Sequence, residues 1–202
     1  MANSSVALVV VDVQVDFCPG GALPVPQGDK VIRPINRLLQ TAEANHRLII
    51  ATRDWHPPES SHFTNGGGDW PPHCVAASKG ARFHPTLELP STALIVSKGL
   101  LPDEDGYSAF DGTDDNRRSL RELLEARSIE AVIICGLATD YCVRATVLDA
   151  IQAGFSGFVV LDASAPVNLK RTDGTEAARE MQAAGADVLS TEAAQRFLMK
   201  KS

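Results

Sequence analysis

Cys142 closes the segment Ala131-Val132-Ile133-Ile134-Cys135-Gly136-Leu137-Ala138-Thr139-Asp140-Tyr141-Cys142, an apolar run that passes through a turn of small residues into helical periodicity. A thiol in the first turn of a helix meets free backbone N–H groups and the positive end of the helix dipole, which favour thiolate over thiol. Cys142 is therefore a candidate nucleophile, although most free cysteines simply pack. Asp12 ends the first apolar run and Lys98 the third. In open parallel sheets ligands bind beyond the carboxyl ends of the strands, so side chains at three such ends can meet in one crevice. A carboxylate to accept the thiol proton, a lysine to hold that carboxylate and offset negative charge, and a thiol have complementary roles. Singly, each has a plainer reading: Asp12, like Asp16, suits a turn or cap, and a lone lysine suits the surface.

A second set of polar side chains follows the second apolar run. Asp54 and His56 are two apart and face one way if strand geometry persists, and the loop beyond them carries His62 and His73. Nitrogen and carboxylate donors suit zinc, iron or manganese better than calcium. Cys74 is a further candidate ligand, ranked behind His73, while His46 and His84 read as structural.

The elements that must position these residues alternate. Apolar runs at 6–11, 47–52, 93–97, 131–135, 158–161 and 187–189 are rich in Val, Ile and Leu with little alternation, as buried parallel strands are. Helical spacing marks Val31, Ile32, Ile35, Leu38, Leu39 and Ala42, then Leu120, Leu123 and Leu124. A third helix follows Cys142 through Val147, Leu148 and Ile151, and a fourth covers 175–184. The pattern predicts an α/β fold with a mostly parallel sheet of about six strands and helices on both faces. Two long loops, 55–90 and 99–115, break the alternation, and long loops in a compact domain are commonly functional.

The 202 residues suffice for one sizeable core, so residues 1–202 are expected to form a single domain. No apolar stretch is long enough to span a bilayer, and the first run, cut by Asp12, reads as a strand rather than a signal peptide. The four cysteines are scattered and read as reduced thiols, which points to the cytosol. A net charge of −6 without a Lys/Arg cluster, beyond the short Lys200-Lys201 end, argues against a nucleic-acid surface.

Read together, six segments carry a resemblance. They are Asp12-Val13-Gln14-Val15-Asp16-Phe17-Cys18-Pro19-Gly20-Gly21-Ala22-Leu23, Asp54-Trp55-His56-Pro57, Trp70-Pro71-Pro72-His73-Cys74, Ser97-Lys98-Gly99, Tyr107-Ser108-Ala109-Phe110 and Gly136-Leu137-Ala138-Thr139-Asp140-Tyr141-Cys142-Val143. Over nearly its whole length the chain resembles the nicotinamidases, within the isochorismatase-like cysteine hydrolases. The resemblance implies a Rossmann-like three-layer fold and an amidohydrolase of linear amides that converts nicotinamide, or its pyrazine analogue pyrazinamide, through a thioester. It implies Cys142 as nucleophile, Asp12 as proton acceptor and Lys98 as third member of the triad. It further implies a cis peptide between Leu137 and Ala138, with the N–H groups of Ala138 and Cys142 as the oxyanion hole. Phe17, Trp70, Tyr107, Leu137 and Tyr141 match positions around the family's pyridine pocket. Asp54, His56, His62 and His73 would hold one divalent metal, zinc first, then iron or manganese, with Glu59 or a water as the alternative at the His62 position. The implied role is NAD salvage by a cytoplasmic enzyme, with no membrane or nucleic-acid partner. Many members assemble into homo-oligomers.

Three other readings stand beside this one. A carbamoyl or ureido hydrolase of the same family would keep the triad and lack the metal loop. A silent binding protein on the same fold would not need all three triad residues. A redox thiol protein is disfavoured by the lack of a Cys-x-x-Cys pair.

Overall fold

The computed structural model describes residues 5–200. Six strands, β1 (Val6–Val11), β2 (Leu48–Asp54), β3 (Leu94–Lys98), β4 (Ala131–Leu137), β5 (Ser156–Ala165) and β6 (Asp187–Leu189), form one sheet in the order β3-β2-β1-β4-β5-β6. Every neighbouring pair is parallel. The order reverses direction between β1 and β4, and that switch point opens a crevice at the carboxyl edge of the sheet.

Among the described residues five α-helices cover the two faces: α1 (Ile32–Ala44), α2 (Leu120–Glu125), α3 (Arg144–Gln152), α4 (Asp173–Ala183) and α5 (Thr191–Met199). Alternate residues of β1 feed separate cores. Val6, Leu8 and Val10 pack with Ile35, Leu38 and Leu39 of α1 and Leu198 of α5. Ala7, Val9 and Val11 pack with Leu120 and Leu123 of α2, Val147 of α3 and Met181 of α4. A fully buried Val, Leu or Ile contributes roughly 1.5–3 kcal/mol, so a strand sealed on both faces anchors whatever its end carries. Local signals agree with these starts and stops: Ser119 and Glu122 form a reciprocal capping box on α2.

Three features differ from the sequence expectation. α5 was not foreseen, although Ser190 caps it by accepting from the Ala193 amide, and Ala194, Phe197 and Leu198 have helical spacing. β5 runs well past the expected 158–161, because its register with β4 jumps from Ile134↔Val159 to Gly136↔Ser164. The extra residues bring Asp162 to the start of α5, where its carboxylate accepts from the Thr191 amide and hydroxyl. Lastly, the helical turn that carries Cys142 is a wide π-type one, Thr139–Val143, which runs directly into α3. No helix among the described residues is long and apolar enough to cross a membrane.

Candidate active site

Asp12, Lys98 and Cys142 meet at the carboxyl ends of β1, β3 and β4, although 130 residues separate the first from the last. Asp12 follows β1 at φ +49°. Its Oδ1 accepts from the Thr52 hydroxyl at 2.6 Å, which leaves Oδ2 to face the Lys98 ammonium at 2.7 Å. Lys98 is wholly buried. Its ammonium also contacts the Asp54 carboxylate, donates to the Gly106 carbonyl oxygen at 2.6 Å and reaches Cys142 Sγ at 3.5 Å. An oxygen from each of Asp12 and Asp54 and the Cys142 sulfur lie within 4.8 Å of one another.

Charge fixes the resting protonation. Two carboxylates already surround one ammonium, so a thiolate would be a third buried anion against a single cation. Burial, with Asp12 and Asp54 adding to it against Lys98, pushes the Cys142 thiol well above its ordinary range. Burial and the two carboxylates thus work against the thiolate that a helix start would favour. Burial also raises Asp12 to about 6 even though Lys98 opposes it. At Lys98 burial acts to lower the pKa, and the two carboxylates override it, holding the ammonium charged. For Asp54 burial is likewise outweighed, here by Lys98 and the His56 and His73 rings, and its carboxyl stays low.

Asp54 faces both ways. One oxygen contacts Lys98, and the other stands 3.6 Å from His56 Nε2 and 4.0 Å from His73 Nε2. One ring nitrogen each from His56, His62 and His73 fall within 4.8 Å of one another. Neither ring nitrogen of His56 has a hydrogen-bond partner among the described residues, although both are buried. Buried polar atoms without partners are costly and rare, and a cation satisfies them. His73 Nδ1 pairs with the Pro71 carbonyl oxygen at 2.8 Å and His62 Nδ1 with Asp105 at 3.0 Å, which is how ligating histidines are commonly oriented. The donor set fits a divalent metal of the zinc, iron or manganese kind. Glu59 is exposed, and it is His62 that lies beside His56 and His73.

Loops close the site. Gln14 receives the Asp54 amide on Oε1 and donates from Nε2 to the Asp54 and Ala81 carbonyls, fixing the end of β2. Asp16 accepts from the Cys74 amide at 2.7 Å and so ties the His73 segment to the loop after β1. At Gly99 the backbone passes so close to His56 that a Cβ would stand 2.3 Å from the ring.

Over this floor lies a cleft lined by Phe17, Trp70, Tyr107, Tyr141, Ala138 and Cys142, among others. Trp70 Nε1 donates to the Tyr107 hydroxyl at 3.0 Å, and the Trp70 and Tyr107 rings both pack on Tyr141. Leu137 differs from the sequence expectation: its side chain is fully buried in the core and does not line the cleft, while the Leu137–Ala138 peptide is cis. Sequence reasoning missed Leu23, Val25 and Val167 of the cleft wall, along with Thr52 and Gln14. Gln14 had a signal, a polar residue two positions past Asp12 within apolar sequence; Val167 had none.

Such a sheet, with a thiol, a carboxylate and a lysine gathered at its switch point, defines a class of doubly wound α/β proteins that carry a cysteine site. Within that class the chain belongs to the isochorismatase family, whose Isochorismatase domain matches residues 6–193. It is 41% identical over 198 residues to the nicotinamidase of Escherichia coli (strain K12), an alignment covering 89% of this chain and 92% of that one. The solved pyrazinamidase of Pyrococcus horikoshii in complex with zinc superposes with a TM-score of 0.85 at 43% identity, over 92% of this chain and 99% of that one. PnC1 from L. infantum, solved in complex with nicotinate, superposes with a TM-score of 0.80 at 34% identity over 96% of each chain.

Proposed function

We propose that this chain is a nicotinamidase that hydrolyses nicotinamide to nicotinate and ammonia through a thioester on Cys142, serving NAD salvage. The observation that carries the reading is the thiol, carboxylate and ammonium set beside a cluster of three histidines on the floor of an aromatic cleft. Similarity to nicotinamidases and to a pyrazinamidase supports the same substrate class, a carboxamide on a pyridine or pyrazine ring.

In this mechanism Asp12 takes the proton of Cys142 as the sulfur attacks the carboxamide carbon. Proton transfer has to accompany attack, because burial makes a free thiolate unfavourable at rest. The backbone N–H groups of Ala138 and Cys142 receive the oxyanion; losing one donor of this kind typically costs about 10²- to 10³-fold in rate. Lys98 keeps Asp12 oriented and offsets the charge passed between carboxylate and sulfur. Asp12 then gives its proton to the departing nitrogen, and ammonia leaves a thioester on Cys142. Water, deprotonated by the same carboxylate, attacks the thioester; nicotinate departs and the proton returns to sulfur. Asp54, His56, His62 and His73 would hold a divalent cation, zinc first, which supplies a Lewis-acidic anchor for the ring nitrogen. Phe17 and Trp70 sandwich the ring, with Tyr107 and Tyr141 completing the wall. We place the enzyme in the cytosol, where unpaired cysteines such as these four are the rule.

The test is ammonia release from nicotinamide and from pyrazinamide, run with elemental analysis of the purified protein. Turnover of both amides with about one zinc, iron or manganese per chain is expected. Turnover of carbamoyl compounds alone, by metal-free protein, would replace this reading with that of a ureido hydrolase.

A further inference from the structure

We infer that Asp105, on the loop after β3, is a positioning residue that orients His62 toward the cation and so sets part of the metal affinity. The inference rests on the cation reading above. His56, His62 and His73 differ in what fixes their rings. His73 is held by the Pro71 carbonyl of its own loop, and His56 is wedged under Gly99 with both nitrogens unpartnered. His62 alone depends on a side chain from elsewhere in the chain, Asp105, whose Oδ1 stands 3.0 Å from Nδ1.

The rest of that loop is arranged to deliver this contact. The Pro102 carbonyl accepts from both the amide and the hydroxyl of Ser61, the neighbour of His62. Glu104 closes the turn by accepting from the Leu100 and Leu101 amides. Gly106, next to Asp105, is pinned by the Lys98 ammonium on its carbonyl oxygen. The ring itself is clamped by His56 stacked at 5.1 Å and by the edge of Tyr107 at 5.4 Å. With Nδ1–H donated to Asp105, the nitrogen left for a cation is Nε2.

A plain surface ion pair is the competing account, because the Asp105 side chain is 70% exposed. An exposed pair contributes little to stability and carries no metal dependence. An outer carboxylate on a ligating histidine typically changes metal affinity about 10- to 100-fold. The two accounts therefore separate on a binding measurement.

Zinc affinity of the full, metal-stripped chain, read by competition with a chromophoric chelator, is expected to fall about 10- to 100-fold in Asp105→Ala. Asp105→Asn should recover part of the loss, since its amide oxygen still accepts from Nδ1–H. The thermal midpoint of metal-free Asp105→Ala should match the parent, and in a His62→Ala background the Asp105 change should have no further effect. Equal zinc affinity of parent and Asp105→Ala, or the same loss without His62, would overturn the assignment. A parent chain that takes up no zinc would remove the cation reading itself, and the proposal with it.

Discussion

Asp12 is a carboxylate kept protonatable near neutral pH by burial, the same cause that pushes the Cys142 thiol up. Its two oxygens are divided: Thr52 occupies one, and the other is the only one open to the lysine and the sulfur. The reaction requires Asp12 ionised at the outset, so activity should fall as pH drops through its pKa. That pKa is raised to about 6, and a cation beside Asp54 would favour the carboxylate and move it lower. The acid limb of kcat/KM is therefore expected at about 6 or below, and the pH profile reads it directly. A limb centred above neutrality would exclude Asp12 as the base. The residues that gather here, Asp12, Lys98 and Cys142 and then Asp54 with His56, His62 and His73, were legible as candidates in the sequence, because each lies at or just beyond the end of an apolar run or in a histidine-rich loop. Protonation was not legible: a count of buried charges decided it, and local sequence holds no such count.

The strand and turn around Cys142 show how elements set the site. Gly136 occupies φ +122°, and a Cβ there would stand 2.1 Å from the Val11 carbonyl oxygen. β1 and β4 can approach at the switch point only because this residue has no side chain. Gly136→Ala is expected to destabilise the protein by about 1–3 kcal/mol and to lower turnover, since the displaced strands carry Asp12 and Cys142. Urea unfolding with a parental midpoint would contradict this. The buried strands were readable from their Val and Ile content, but the extension of β5 was not, because it follows from a register jump against β4. Asp140 is a similar case. Its carboxylate accepts from the Val167 and Asn168 amides and sets a wall of the cleft from 27 and 28 residues away.

On the scale of the whole molecule, one cleft joins two separate devices, the triad and the histidine cluster, and Asp54 stands between them. The cation anchor is assigned to orienting the ring and the triad to bond breaking. Metal removal should therefore raise KM for nicotinamide more than it lowers kcat. Steady-state kinetics on chelator-treated protein, with metal content verified, measures the split; unchanged KM in metal-free protein would contradict the anchor. The parallel sheet with helices on both faces was anticipated from the alternation of strands and helices, whereas the strand order came from the structure. The helix α5 was overlooked although Ala194, Phe197 and Leu198 carry helical spacing, and it packs on α1 and completes one of the two cores.

The covalent role of Cys142 underlies every step, and Cys142→Ala tests it most directly. Ammonia release from nicotinamide should vanish in this variant while its metal content and thermal midpoint stay parental. Release at a near-parental rate would contradict the thioester mechanism outright.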